Sequence, residues 1–230
     1  MSSTAAPNRT EPTLEQQTVE AVRTMLGAAV FVVLLVSFTP FNVQSAATAD
    51  SGNVINQIGY GSLGLLALFG HLMFTDRRVA LSLLRPTWLL MAAWLVFSIT
   101  QSNWPDAAFR AVLFSLFAMV AATGVVCLPT TARGFRVVLI AGALAVLGLS
   151  YAGLVVLPDI AIHTASGDEP EHAGLWRGIY SHKNVAGPVM AALFFVGLYL
   201  LRSGERWFGW VITLLAALFV YKTGSKTSAA

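Results

Sequence analysis

The sequence predicts an all-α, polytopic integral membrane protein with about seven transmembrane helices and a cytoplasmic N-terminus. Three observations carry that reading. Hydrophobic residues make up 56% of the 230-residue chain and charged residues only 11%, against about 25% charged in soluble domains; mean hydropathy is +0.70. The apolar residues gather into runs near the ~20 residues a helix needs to cross ~30 Å of hydrocarbon. Lys and Arg sit between those runs in small groups, not in a patch or stripe. Despite a net charge of +3, that dispersal argues against nucleic acid and for the lipid bilayer as partner.

Residues 1–23 are polar and mixed in charge, without the basic start, apolar core and small-residue cleavage site of a secretory signal. They are expected to form a disordered cytoplasmic tail, ahead of a membrane domain over 24–230. Seven apolar segments follow, at 25–41, 55–74, 88–104, 110–128, 137–157, 185–201 and 207–221. The third and seventh are short. Trp88, Trp104 and Trp207 stand at segment ends, where interfacial anchors belong. Pro188 falls in the first turn expected for the sixth helix, where no backbone donor is lost. With the N-terminus inside, the cytoplasmic pieces hold Arg9, Arg23, Arg77, Arg78, Arg85, Arg133, Arg136, Arg202 and Arg206, and the other side Arg110, Arg177, Lys183, Lys222 and Lys226. Nine against five favours that orientation. Cys127, the single cysteine, has no intrachain partner and reads as a small hydrophobe. There is no internal repeat and no low-complexity block.

The longest loop between segments runs over 158–183, and long loops tend to carry function. It ends in Arg177-Gly178-Ile179-Tyr180-Ser181-His182-Lys183-Asn184. Asn184 reads as an N-cap with Val185 opening the helix, so the helix N–H groups and dipole would face Arg177, His182 and Lys183. Arg supplies a planar fork for phosphate oxygens and Lys a point charge. The plainer reading is of cations snorkelling to lipid headgroups. The seventh segment ends in Tyr221-Lys222-Thr223-Gly224-Ser225-Lys226-Thr227-Ser228. Gly and hydroxyl residues let backbone approach an oxyanion, with Lys226 adding charge; the plainer reading is a charged helix stop. The short link over 202–206 makes the last two segments antiparallel neighbours, which would bring Arg177, Lys183 and Lys226 together. His163 and His172 read as solvated loop residues. His71 reads as a packing histidine, though an intramembrane ionisable group is a functional candidate. No acidic cluster suited to a metal is evident.

These two stretches resemble the paired signatures of the O-antigen ligase and Wzy-type polymerase superfamily, R-G-x-[FY]-x-H-[KP]-N and S-[RK]-T. The His-Lys-Asn form, with Lys226 in the second element, is most similar to the exopolysaccharide polymerase branch. A weaker likeness joins Asn103-Trp104-Pro105-Asp106 and Arg110 to the family's W-S-x-D-P…R stretch, with the serine missing and Pro and Asp transposed. The motif region spans about 172–230.

The resemblance implies metal-independent glycosyl transfer, without a cofactor, by a multi-pass protein of the bacterial inner (cytoplasmic) membrane, on its extracytoplasmic side. The donor would be a glycan on undecaprenyl pyrophosphate and the acceptor a lipid or growing polysaccharide. Arg177 and Lys226 would be the catalytic cations, neutralising the departing pyrophosphate; His182, Lys183, Asn184, Ser225 and Thr227 would bind substrate. Family members continue into a further outer loop with a histidine base, and none of His71, His163, His172 and His182 matches it. The chain is therefore expected to be a C-terminally truncated member, inactive by itself. The competing reading is a multi-pass transporter of an anionic solute; transporters place such sites at the midplane, often between repeats.

Overall fold

The computed structural model describes residues 13–36, 38–41, 54–83, 85–165 and 170–225. Among these the structure is all-helical, with one isolated β-bridge and no strand. The helices are α1 (Leu14–Val36), α2 (Val54–Phe74), α3 (Arg77–Leu83), α4 (Pro86–Thr100), α5 (Pro105–Cys127), α6 (Ala132–Val156), the single turn α7 (Pro158–Ala161), α8 (Lys183–Arg202) and α9 (Arg206–Thr223). Five of them, α1, α2, α5, α6 and α8, are long and apolar enough to cross a membrane. The helices expected as third and seventh spans are shorter. α4 has 15 residues, roughly 22 Å of rise against ~30 Å of hydrocarbon. α9 has 18, with Arg206 and Lys222 near its two ends.

The first helix corrects the expected tail. Thr13 Oγ1 accepts from Gln16 N at 3.3 Å, and Gln16 Oε1 accepts from Thr13 N at 3.0 Å. This reciprocal capping box starts α1 at Leu14, so residues 14–23 are helix and not disordered tail. They also make tertiary contacts. The Glu20 carboxylate accepts from Thr130 and from the N–H and hydroxyl of Thr131. Arg23 Nε donates to the Leu128 carbonyl at 2.7 Å. Residues 1–12 of the expected tail lie outside the described residues.

End-to-end contacts define the direction of each helix. The start of α1, the α5–α6 link, and the Arg136–Glu205 ion pair between α6 and the α8–α9 turn (3.0 Å) share one end of the bundle. At the other end, Tyr180 Oη donates to the Leu35 carbonyl and Phe41 N to the Ile179 carbonyl, each at 2.8 Å. Hence α1, α6 and α9 run one way, and α5 and α8 the other. His71, on α2, shows how a half-buried polar group is settled here. Its ring nitrogens lie 3.0 Å from the hydroxyls of Thr75 and Thr123, which supports the packing reading.

Two buried clusters hold the bundle, one between α6, α8 and α9, the other between α1, α2, α5 and α6. Lipid offers apolar groups no hydrophobic reason to leave it, so helix association rests on close packing at small residues. Here aromatic rings are laid against glycines: Phe31 against Gly142, and Phe117 against Gly64. Ser150 Oγ and Thr213 Oγ1 are buried without a hydrogen-bond partner. An orphaned hydroxyl costs about 1–3 kcal/mol. Thr213→Val keeps the branched shape and removes the orphan, so it should raise thermal stability in detergent by about 1 kcal/mol; a lowered midpoint would mean the hydroxyl has a partner.

Candidate functional site

The loop between α6 and α8 is folded by its own backbone. Ile162 and Trp176 form an antiparallel bridge. His163 N donates to the Leu175 carbonyl (2.9 Å), and Gly174 N returns to the His163 carbonyl (2.8 Å). The N–H groups of Arg177 and Gly178 both reach the Ala161 carbonyl, at 2.9 Å each. Beneath them, Tyr151, Trp176 and Phe219 pack edge to face with ring centroids 5.4–5.9 Å apart. Tyr151 Oη donates to the Leu215 carbonyl at 2.8 Å, tying α6 to α9 under the loop.

This scaffold buries Arg177, which is 8% exposed. Its Nε donates to the Ile160 carbonyl, and one terminal nitrogen to the Ser181 carbonyl at 3.3 Å. The fork is thereby oriented by neutral acceptors, with other N–H groups remaining for a ligand. Burial pulls its pKa below the ordinary arginine value, but arginine starts so high that the charge persists at neutral pH. Lys183 is also buried, at 9% exposed. Among the described residues the ion pair is Arg136–Glu205, so neither Arg177 nor Lys183 is neutralised by a described carboxylate. Tyr180, fixed on Leu35, has its phenol pKa raised by burial and by Tyr60.

The second motif meets the first. Trp176 N donates to the Lys222 carbonyl at 3.1 Å, and Lys222 Nζ stands 5.9 Å from the Trp176 ring centroid. Gly224 closes α9 in the left-handed conformation at φ 57°, and a Cβ there would lie 3.1 Å from Leu175. Ser225 is buried, with its N–H on Thr223 Oγ1 at 3.3 Å. Lys226 and Thr227 lie outside the described residues. Arg110, from the weaker third likeness, is at the start of α5, on the same end of the bundle as the loop.

The start of α8 departs from expectation. His182, not Asn184, is the N-cap, and the helix opens at Lys183. Asn184 is an exposed residue of the first turn, its N–H held by His182 Nδ1 at 3.0 Å. Pro188 accordingly sits inside the helix, where it has no N–H for the Asn184 carbonyl. His163 is buried and not a solvated loop residue, and its Nε2 accepts from Lys183 N at 3.3 Å. The N–H groups of Val185 and Ala186 go to the His182 carbonyl (3.0 and 3.1 Å). All four leading N–H groups of α8 are thus taken by protein, and anion binding falls to the side chains.

His172 joins the other two histidines, the three ring centroids lying 5.0–5.8 Å apart. No group of three or more His, Cys, Asp and Glu among the described residues is placed to hold a metal ion. In this arrangement His163 and His182 each place a ring lone pair on a backbone N–H. Sequence reasoning missed this trio: the i, i+19 spacing of His163 and His182 carries no periodic signal, and only the loop's bridge brings them together.

Comparison with protein-family models, with curated proteins and with solved structures finds no match to this chain.

Proposed function

We propose that this chain is a membrane glycosyltransferase of the O-antigen ligase and polymerase type, seven-pass with its N-terminus in the cytoplasm of a bacterium. It would act at the extracytoplasmic face of the cytoplasmic membrane, in surface or exopolysaccharide synthesis. The observation that carries the reading is the junction of the two motif-bearing helix ends through Trp176 N and the Lys222 carbonyl. In the reaction, the acceptor hydroxyl oxygen bonds to the donor's anomeric carbon and gives its proton to a base. The bond from that carbon to the pyrophosphate oxygen breaks, and the electron pair leaves with undecaprenyl pyrophosphate. Arg177, Lys183 and Lys226 supply positive charge where that negative charge develops, in a setting of low dielectric. The backbone and Ser181 hold the Arg177 fork before substrate arrives, which limits reorganisation. Asn184, exposed on the first turn of α8, is available to the sugar or phosphate.

Binding of undecaprenyl pyrophosphate to the protein in lipid nanodiscs tests the proposal. Arg177→Ala and Lys226→Ala should each weaken binding by about 10–100-fold, the worth of a hydrogen bond to a charged group. Lys226→Arg should retain binding if point charge suffices. Arg177 also ties the loop together, so Lys226→Ala is the cleaner variant. Unchanged affinity in both alanine variants would overturn the assignment, and counterflow of an anionic solute without bond cleavage would favour a transporter.

A further inference from the structure

α1 and α6 approach one another at Gly134. A Cβ there would stand 2.7 Å from Glu20 Oε1 and 2.7 Å from Thr24 Oγ1, so glycine lets both side chains lie over the start of α6. Glu20 is then fixed by neutral donors. Its Oε2 accepts from the N–H and hydroxyl of Thr130, and its Oε1 from the N–H and hydroxyl of Thr131. Among the described residues it forms no ion pair, so its charge is oriented but not cancelled. Thr130 Oγ1 gives its one proton to Glu20 and keeps lone pairs with which to accept. Arg133, on the first turn of α6, is exposed and has no hydrogen bond or ion pair among the described residues. A cation there opposes the helix dipole, so helix stability does not account for it. Membrane orientation accounts for a cation at this end of the bundle, but not for the carboxylate held in the same groove.

That groove, of about 910 Å³, lies between the two helices, within the ~300–1,000 Å³ usual for small-ligand sites. Met25 and Val137 continue its lining, and both are exposed. Met25 is five residues past Glu20, about 7.5 Å along the helix, toward the middle of the bundle. The groove therefore passes from charged to apolar lining over the distance that separates a phospholipid's head from the start of its acyl chains. Both walls are helices long and apolar enough to cross a membrane.

We propose that this groove binds a bilayer phospholipid whose head carries a phosphate and a primary ammonium, as phosphatidylethanolamine does. The phosphate pairs with the Arg133 fork. The ammonium lies against the Glu20 carboxylate and Thr130 Oγ1, and an acyl chain runs over Met25 and Val137. A choline head has no N–H to donate, and a glycerol head has no cation to meet Glu20. Two further charges stand nearby on α1: Glu15, and Arg23, which is engaged by the Leu128 carbonyl. Arg9 and Glu11, of opposite sign, lie outside the described residues. The site is at the far end of the bundle from Arg177 and does not depend on the glycosyl-transfer reading. A lipid seated there would clamp α1 to the α5–α6 link.

Native mass spectrometry of the detergent-purified protein, titrated with phosphatidylethanolamine, phosphatidylcholine or phosphatidylglycerol of matched chains, tests this. The wild type should bind phosphatidylethanolamine about tenfold more tightly than phosphatidylcholine, the worth of a charge-assisted hydrogen bond. Arg133→Gln should weaken both by about fivefold, the upper worth of an exposed ion pair, whereas Arg77→Gln on α3 should leave both unchanged. Glu20→Gln should abolish the preference between them. Equal binding of all three lipids, an annular layer only, overturns the proposal. So does tighter binding of phosphatidylglycerol than of phosphatidylethanolamine, or an Arg133→Gln protein that binds like the wild type. Should Glu20→Gln fail to fold, the three-lipid comparison and Arg133→Gln, at an exposed side chain, decide between these outcomes.

Discussion

Gly178→Ala should destabilise the protein by about 2–5 kcal/mol, from two separable causes. Gly178 lies at φ 60°, a conformation that costs an L-residue about 1–2 kcal/mol. A Cβ there would also stand 2.9 Å from Phe219 Cζ, 2.9 Å from Ser150 Cβ and 3.0 Å from Ser150 Oγ. Overpacking of that kind costs about 1–3 kcal/mol. Neither neighbour yields easily: Phe219 is fully buried in the aromatic cluster with Tyr151 and Trp176, and Ser150 is fully buried in α6. Gly174 is the internal control. It also has positive φ, at 82°, but nothing lies within 4 Å of its Cβ position, so Gly174→Ala should cost only the backbone part. Thermal unfolding in detergent of the two variants measures the difference. Equal losses would mean that Gly178 is not crowded, and that the Arg-Gly pair is required for backbone conformation alone. Because Gly178 N shares the Ala161 carbonyl with Arg177 N, displacement at 178 also moves the guanidinium. Ligand binding should therefore fall further in Gly178→Ala than in Gly174→Ala.

The apolar runs made most of the helices legible, because a membrane helix must be apolar over its whole length and its ends are set by polar residues. α2 lies close to where its run places it, whereas α5 and α6 open earlier than their runs, at Pro105 and Ala132. The starts of α1 and α8 were harder for different reasons. α1 begins with a polar stretch that composition assigns to a tail; only the Thr13–Gln16 spacing marks its cap. At α8 the usual preference for Asn at N-caps misleads. His182 takes the position because its imidazole reaches Asn184 N, and the backbone of His182 is extended at φ −147° and ψ 149°. The approach of the two motifs followed from the short α8–α9 link. The burial of Arg177 and His163 did not, since it depends on the bridge between Ile162 and Trp176, a pairing that no local pattern announces.

Gly197→Leu should prevent α8 and α9 from packing, and Gly197→Ala should already cost about 1–3 kcal/mol. α8 and α9 make the most extensive helix–helix contact of the bundle, and Gly197 lies there against both the side chain and the backbone of Thr213. A Cβ at 197 would meet Thr213 Oγ1 first, and would also lie 2.7 Å from Thr213 N and 3.0 Å from Thr213 Cα. A rotamer change cannot relieve contact with main chain, so the helices must separate. In lipid, where association depends on close van der Waals fit, separation forfeits contacts along the pair. The gain in helix propensity from Gly to Ala, roughly 1 kcal/mol, offsets only part of this. Gly142 offers the contrasting case: its close neighbour is the ring of Phe31, a side chain, so Gly142→Ala should be rescued by Phe31→Leu. Gly197→Ala should be rescued only in part by Thr213→Ala, which removes the hydroxyl but leaves the backbone of α9 in place. Thermal unfolding in detergent of the four variants checks this pattern, and full rescue at 197 would show that the Thr213 hydroxyl, not the main chain, sets the approach. The same separation would part Lys222 from Trp176 at the far end of the hairpin, so Gly197→Leu protein that still inserts into membranes should lose undecaprenyl pyrophosphate binding although residue 197 lies remote from the motifs.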